Sequence, residues 1–292
     1  MRTGFIIRTT ARSACLALCV AALSTAGCSD RQGDGAPLGL ASNKLSGTVR
    51  ISGSAAMTPM ISAMAADFQQ QHPGVKFEIQ AGASVQGLKD VKDGKSDIGM
   101  VSRPLAADER DLAPFAIARD GIAISIHGDN PVAALTNEQI ADIYTRKVVN
   151  WREVGGRDAP IYLISASQRS GATDVFLNQF QIKLAAVRPD TFADANADRF
   201  AALSAHPEAI LYSSLGESER RTNAGEKIKA LPNAGVPATR ENLAAGRYSV
   251  ARPLILATRG LPSGPAQAFI DYVRSPAAIP TIERFDFVPY RD

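Results

Sequence analysis

The chain is 292 residues long, 45% hydrophobic and 21% charged, with 32 basic against 29 acidic side chains. Three cysteines rule out a dense disulfide scaffold, and His72, His127 and His206 are too far apart to form a metal-ligand motif. The near-balanced charge lacks the basic footprint of a nucleic-acid binder.

Residues 1–27 read as a removable signal peptide. Arg2, Arg8 and Arg12 come without any acid, an uncharged stretch runs from Ser13 to Leu23, and small residues lead to Cys28. A transmembrane helix needs about 20 mainly apolar residues, and this stretch is roughly half that. Removing the three leader arginines leaves 29 basic against 29 acidic residues, so the exported chain is formally neutral. The Ala26-Gly27-Cys28 ending resembles a bacterial lipoprotein signal, with Cys28 as the lipidated residue, although Thr25 stands where such signals usually carry leucine. The other reading is ordinary secretion with Cys28 free or removed. The polar run that follows, within residues 28–44, reads as a flexible tether to the anchor.

The remaining body reads as α/β. Gly47 to Ser52 alternates like a strand, Met60, Ile61, Met64, Ala65 and Phe68 recur at helical spacing, and Lys76 to Gln80 alternates again: a strand–helix–strand unit. Further strands are expected at Ile122–Ile126, Ile161–Ile164 and Leu254–Thr258. Helices are expected at Asn137–Tyr144, with Thr136 as its cap, at Ala172–Phe180 and at Pro265–Arg274.

Three strand-to-helix turns share one chemistry: Gly53-Ser54-Ala55-Ala56, Gly82-Ala83-Ser84 and Ser167-Gln168-Arg169-Ser170-Gly171-Ala172. Small residues admit a ligand close to the backbone, and the first amides of a helix lack internal partners. The helix dipole adds partial positive charge, and serine hydroxyls add donors. Each serine taken alone is more simply a helix cap. Arg103 and Arg169 lie beside these turns and offer planar donor sets for an anion.

The order Ile51-Ser52-Gly53-Ser54, Gly82 to Gly87 and Asp97 to Leu105 resembles the periplasmic phosphate-binding proteins of ABC importers. So do Leu135 to Ile140, Asn150 to Gly156, Ser170-Gly171, Gly246-Arg247-Tyr248 and Arg252-Pro253-Leu254. The resemblance covers about residues 46–290. It implies a two-lobed periplasmic binding protein fold (type II), each lobe a mixed sheet flanked by helices, with the ligand cleft between them. Lobe 1 would comprise residues 45–124 plus 251–292, and lobe 2 residues 125–250. Carried over position by position, the anion contacts fall on Ser54 with the Ala55 and Ala56 backbone, Ser84, Ser102, Arg103, Arg169, Ser170, Gly171 and Ala172.

The departures from that pattern concern donors. Relatives usually have hydroxyl residues where this chain has Ala55 and Ala56, and Thr where it has Ala172; their arginine sits near Ala166. Some carry an Asp that accepts the phosphate proton, where this chain has Arg103. The function implied is capture of phosphate or a similar oxyanion for an ABC permease, by a monomeric, membrane-anchored lipoprotein in the periplasm, with no cofactor, no metal, no nucleic acid and no catalysis. A second reading keeps the fold in an accessory lipoprotein that binds another oxyanion or a protein partner. A third, phosphate-ester hydrolysis, lacks a Gly-x-Ser-x-Gly elbow or clustered metal ligands.

Overall fold

The structure, a computed structural model, describes residues 45–167 and 170–290. The signal peptide, the tether with Cys28, and Arg169 lie outside the described residues.

The body opens with β1 (Ser46–Ser54), α1 (Thr58–Gln71) and β2 (Gly74–Gly82), the expected unit, with β1 and β2 parallel. Then α2 (Ser84–Lys92) leads to β3 (Ile98–Val101), which pairs in parallel with the other side of β1. The long β4 (Ala113–His127) is followed by α3 (Asn137–Tyr144), β5 (Tyr162–Ser165), α4 (Gly171–Gln179) and β6 (Thr191–Phe192). Next come α5 (Asn196–Ala205), β7 (Ala209–Ser214), α6 (Leu215–Asn223), β8 (Ile228–Ala230) and α7 (Arg240–Ala244). The chain returns through β9 (Ala251–Thr258), α8 (Gly264–Arg274), α9 (Ile279–Arg284) and β10 (Val288–Pro289).

The mixed sheet runs in the order β2-β1-β3-β9-β4-β7-β5-β6, with β8 and β10 also on β4. Everything turns on β4. From Ala113 to Gly121 it pairs antiparallel with β9, and from Ile122 to Ile126 with β7. The strand expected at residues 122–126 is therefore only the second half of a 15-residue element. The first half carries Arg119 and Asp120, and this polar interruption breaks the apolar pattern that a strand reading relies on.

Two large apolar clusters flank this sheet. In the first, the α1 stripe of Met60, Ile61, Met64, Ala65 and Phe68 is buried against β1 and α8. Phe68 meets Phe269 edge-to-face, ring centroids 5.6 Å apart. Pro59 opens α1 at a position where a missing N–H costs nothing. The second cluster collects Ile140, Tyr144, Trp151, Phe176 and Tyr212. Thr136 caps α3 as expected, and its reciprocal partner is Gln139: the Thr136 hydroxyl accepts the Gln139 amide at 3.1 Å, and the Gln139 side chain accepts the Thr136 amide at 2.8 Å. Trp151 is buried, and its indole N–H donates to the Glu208 carbonyl at 2.7 Å.

Phe176 is 1% exposed and stacks on Tyr212 with centroids 4.2 Å apart and rings 11° from parallel. Truncation removes the ring and leaves a cavity that such a packed core fills only in part. Phe176→Ala is expected to lower unfolding stability by about 3–5 kcal/mol, read from urea titration followed by circular dichroism.

Candidate functional site

The C-terminal ends of β1 and β3 and the N-terminal ends of α2 and α4 meet at a single cavity of about 850 Å³. Glycines make the meeting possible. Gly53 has φ +124°, and a Cβ there would run into the Met100 carbonyl; a Cβ on Gly87 would lie 2.6 Å from the Ser52 carbonyl. With no side chain at either position, α2 sits directly against the end of β1, and Ser54 and Ser84 are brought to the same cavity wall.

Ser54, Ala55, Ala56, Ser84, Ser102, Ser170, Gly171 and Ala172 all line this cavity. Their hydrogen bonds sort the donors that are free from those that are used. The Ala55 amide donates to the Gly82 carbonyl at 2.9 Å, tying the first turn to the second and leaving Ala56 as the alanine amide open to a ligand. The Ser54 hydroxyl donates to the Ser102 hydroxyl at 2.9 Å, and the Ser102 amide donates to the Ser84 hydroxyl at 3.2 Å. Ser170 acts as the α4 cap, accepting the Ala172 amide at 3.3 Å. Thr173 does not replace the hydroxyl absent at Ala172. Its side chain is buried, donates to the Ser167 carbonyl and meets the Tyr212 hydroxyl, both at 2.8 Å.

Arg103 is placed differently from the turns it adjoins. Its guanidinium donates to both carboxylate oxygens of Glu109 at 2.7 Å each and lies 3.4 Å from Asp174 on α4, and it is not among the cavity-lining residues. The fork-to-fork bond raises its pKa, and the same bond holds the Glu109 carboxyl below the usual range. Burial acts oppositely on Asp174 and pushes its carboxyl up. Arg103 thus links the β3 exit to α4 with its charge already matched.

Two buried arginines, among four described ones that line the cavity and that the sequence reading did not select, reach it from elsewhere. Arg252, on β9, is 3% exposed; Nε and Nη2 donate to one oxygen of Asp120 at 3.0 and 2.6 Å, and Nη1 donates to the Ser102 hydroxyl at 3.3 Å. The other Asp120 oxygen accepts the Ser214 hydroxyl at 2.7 Å. Asp120 and Arg252 are register partners across β4 and β9. Sequence could reveal the pair only through that strand register. Arg199, in the first half of α5, is 2% exposed and also lines the cavity. Among the described residues no group of histidine, cysteine or carboxylate side chains could hold a metal ion.

The arrangement can coordinate a compact anion through backbone amides, hydroxyls and guanidinium N–H groups in a recess that contains both charge signs. Its serine hydroxyls hydrogen-bond one another and two backbone amides.

A family model for the PBP superfamily domain matches residues 40–277. The phosphate-binding protein PstS of Bacillus subtilis (strain 168) is 29% identical over 236 residues, spanning 80% of this chain and 77% of that protein. A Clostridium perfringens ABC transporter substrate-binding protein solved with bound phosphate superposes with a TM-score of 0.76 at 32% identity, covering 84% of this chain and 100% of that one. An ABC-type phosphate transport receptor from Vibrio cholerae gives a TM-score of 0.72 at 27% identity, covering 82% and 99%. The mixed sheet flanked by helices, the convergence of helix N-termini on one cavity and the family match agree: the chain belongs to the PBP superfamily and has the periplasmic binding protein fold.

Proposed function

We propose that this protein captures inorganic phosphate at the cleft and delivers it to an ABC importer without chemical transformation. The observation that carries the reading is the convergence of the Ser54, Ser84 and Ser170 turns on one cavity, each at or next to a helix N-terminus. The contacts would come from the Ala56 amide, the hydroxyls of Ser54, Ser84, Ser102 and Ser170, and the first amides of α2 and α4. The phosphate-transport names of the similar proteins support the same ligand class. The cavity's mutually bonded hydroxyls suit capture, whereas ester hydrolysis requires an activated nucleophile.

The lobes are assigned as residues 45–124 with 251–292, and residues 125–250. The switch of β4 from β9 to β7 after Gly121 supports that division. Capture proceeds by docking on one lobe and swinging in of the other, driven by tighter binding to the closed form, which the permease reads. Export by the residue 1–27 leader and lipidation of Cys28 would hold the protein at the outer face of a membrane, as a monomer. No described helix is long and apolar enough to cross one.

The alanines at 55, 56 and 172 favour a second reading, an accessory lipoprotein for another oxyanion, because Thr173 buries its hydroxyl instead of offering it. Calorimetric titration of purified protein, stripped of bound anion, with phosphate, sulfate, arsenate and molybdate decides between the two. Phosphate binding that excludes sulfate is the expected result, and preference for another anion selects the second reading. Gly171 provides a further check, because a Cβ there would collide with the Ser102 hydroxyl and lie 2.9 Å from the Ser102 carbonyl. Gly171→Ala is expected to wedge α4 away from β3 and weaken phosphate binding at least about tenfold, while Leu261→Ala, at an exposed surface position, leaves it unchanged.

A further inference from the structure

Asp286 occupies a backbone position that suits glycine. α9 ends in a left-handed turn: the Asp286 amide donates to the Glu283 carbonyl at 3.0 Å, the Phe287 amide to the Ile282 carbonyl at 3.2 Å, and Asp286 itself has φ +65°. Helices that end this way usually place glycine there, because an L side chain is strained at positive φ. Here the position carries a buried carboxylate instead. Arg220 Nε, on α6, donates to it at 2.6 Å, and Arg240 Nη1, on α7, lies 3.8 Å from its other oxygen. The backbone is in contact as well. A Cβ on Gly216, in the first turn of α6, would lie 1.9 Å from the Asp286 carbonyl oxygen, so α6 rests directly on this turn.

The two sides of the contact fall in different lobes of the capture reading. Asp286 belongs to the lobe assigned residues 45–124 and 251–292, where Phe287 packs into the α1 cluster and Val288 pairs with Arg119 of β4. Arg220 and Arg240 belong to the lobe assigned residues 125–250. Asp286 and Arg220 both line the cavity, so the contact lies at the proposed binding cleft itself. Each arginine also has an acid on its own side. Glu217 is 3.8 Å from Arg220 Nη2, and Glu219 accepts from Arg240 Nε at 2.9 Å. Breaking the contact therefore leaves neither cation bare, and Arg220 is already half-exposed to water. An ion pair in such a setting contributes modestly. That is enough to bias an opening motion and too little to forbid it.

We infer that Asp286 is a clasp on the anion-binding cleft, its carboxylate holding α6 and α7 and so slowing release of the bound anion. This rests on the capture reading and on its division into lobes. Separation of those lobes would break both Asp286 contacts, so the clasp adds to the closed form alone, and an anion held by that form leaves more slowly. Glycine would fit the turn with less strain, and aspartate supplies in exchange a charge that spans to α6 and α7.

The left-handed backbone makes a well-folded variant available. Asp286→Gly removes the carboxylate and relaxes the turn, and thermal melts of the free protein check that the fold is kept. Calorimetry with inorganic phosphate gives the affinity, and release of radiolabelled phosphate into excess unlabelled phosphate gives the off-rate. Asp286→Gly is expected to release phosphate about 3- to 20-fold faster and to bind it more weakly by a similar factor, with the association rate within about twofold of wild type. Arg220→Gln is expected to speed release too, and to add little when combined with Asp286→Gly, because both remove the same contact. Unchanged release from folded Asp286→Gly, additive effects in the double variant, or tighter binding because Arg220 is freed for the anion overturns the clasp and leaves capture standing. If the wild-type protein gives no heat with phosphate and retains no label, the capture reading falls and the clasp with it.

Discussion

The buried pair of Asp120 and Arg252 fixes the register of β4 against β9. Asp120 is 1% exposed and Arg252 3%, so neither charge has water to fall back on. They face each other across β4 and β9, just before β4 leaves β9 and takes up β7. Ser214, at the end of β7, bonds the free oxygen of Asp120, and Ser102, at the end of β3, accepts from Arg252. One ion pair thus ties four strands together, from the middle of β4 to the ends of β3 and β7. Apolar substitutes of equal volume often match such a pair in energy. They would not specify which residue faces which, and a one-residue slip of β4 would turn its side chains to the opposite face.

That pair also shows where sequence reasoning ended. The α1 stripe, the Thr136 cap and the three small-residue turns are local patterns, set by helical spacing or by the preferences of a helix terminus, and each was legible. Serines 54, 84, 102 and 170 reach one cavity as the resemblance implies. The strand reading at residues 122–126 stops short of Arg119 and Asp120, because the partner that makes a buried Asp tolerable lies 132 residues away. α6 was missed for a related reason: it is mostly polar, and only a few of its residues, such as Leu215 and Ser218, are buried.

Arginine is the residue for which sequence is least informative, because its place in the molecule depends on the nearest acid in space. Arg103 looked like a ligand for an anion, yet Glu109, six residues on, takes both ends of its fork. Arg199 sits in a segment with no motif, and its terminal nitrogens are held by the Ala193 and Asp194 carbonyls and the Asn196 side chain. Ser170 illustrates the same ambiguity on a smaller scale: it caps α4 and lines the cavity at once.

Because β4 contributes Ile117 and Ala118 to one apolar cluster and Ile122, Ile124 and Ile126 to the other, the two cores share a backbone ladder. Loss of either core frees one end of that strand and strips hydrogen bonds from the other. A single strand thus runs through the two largest apolar clusters, so loosening of one is passed to the hydrogen-bond ladder that supports the other.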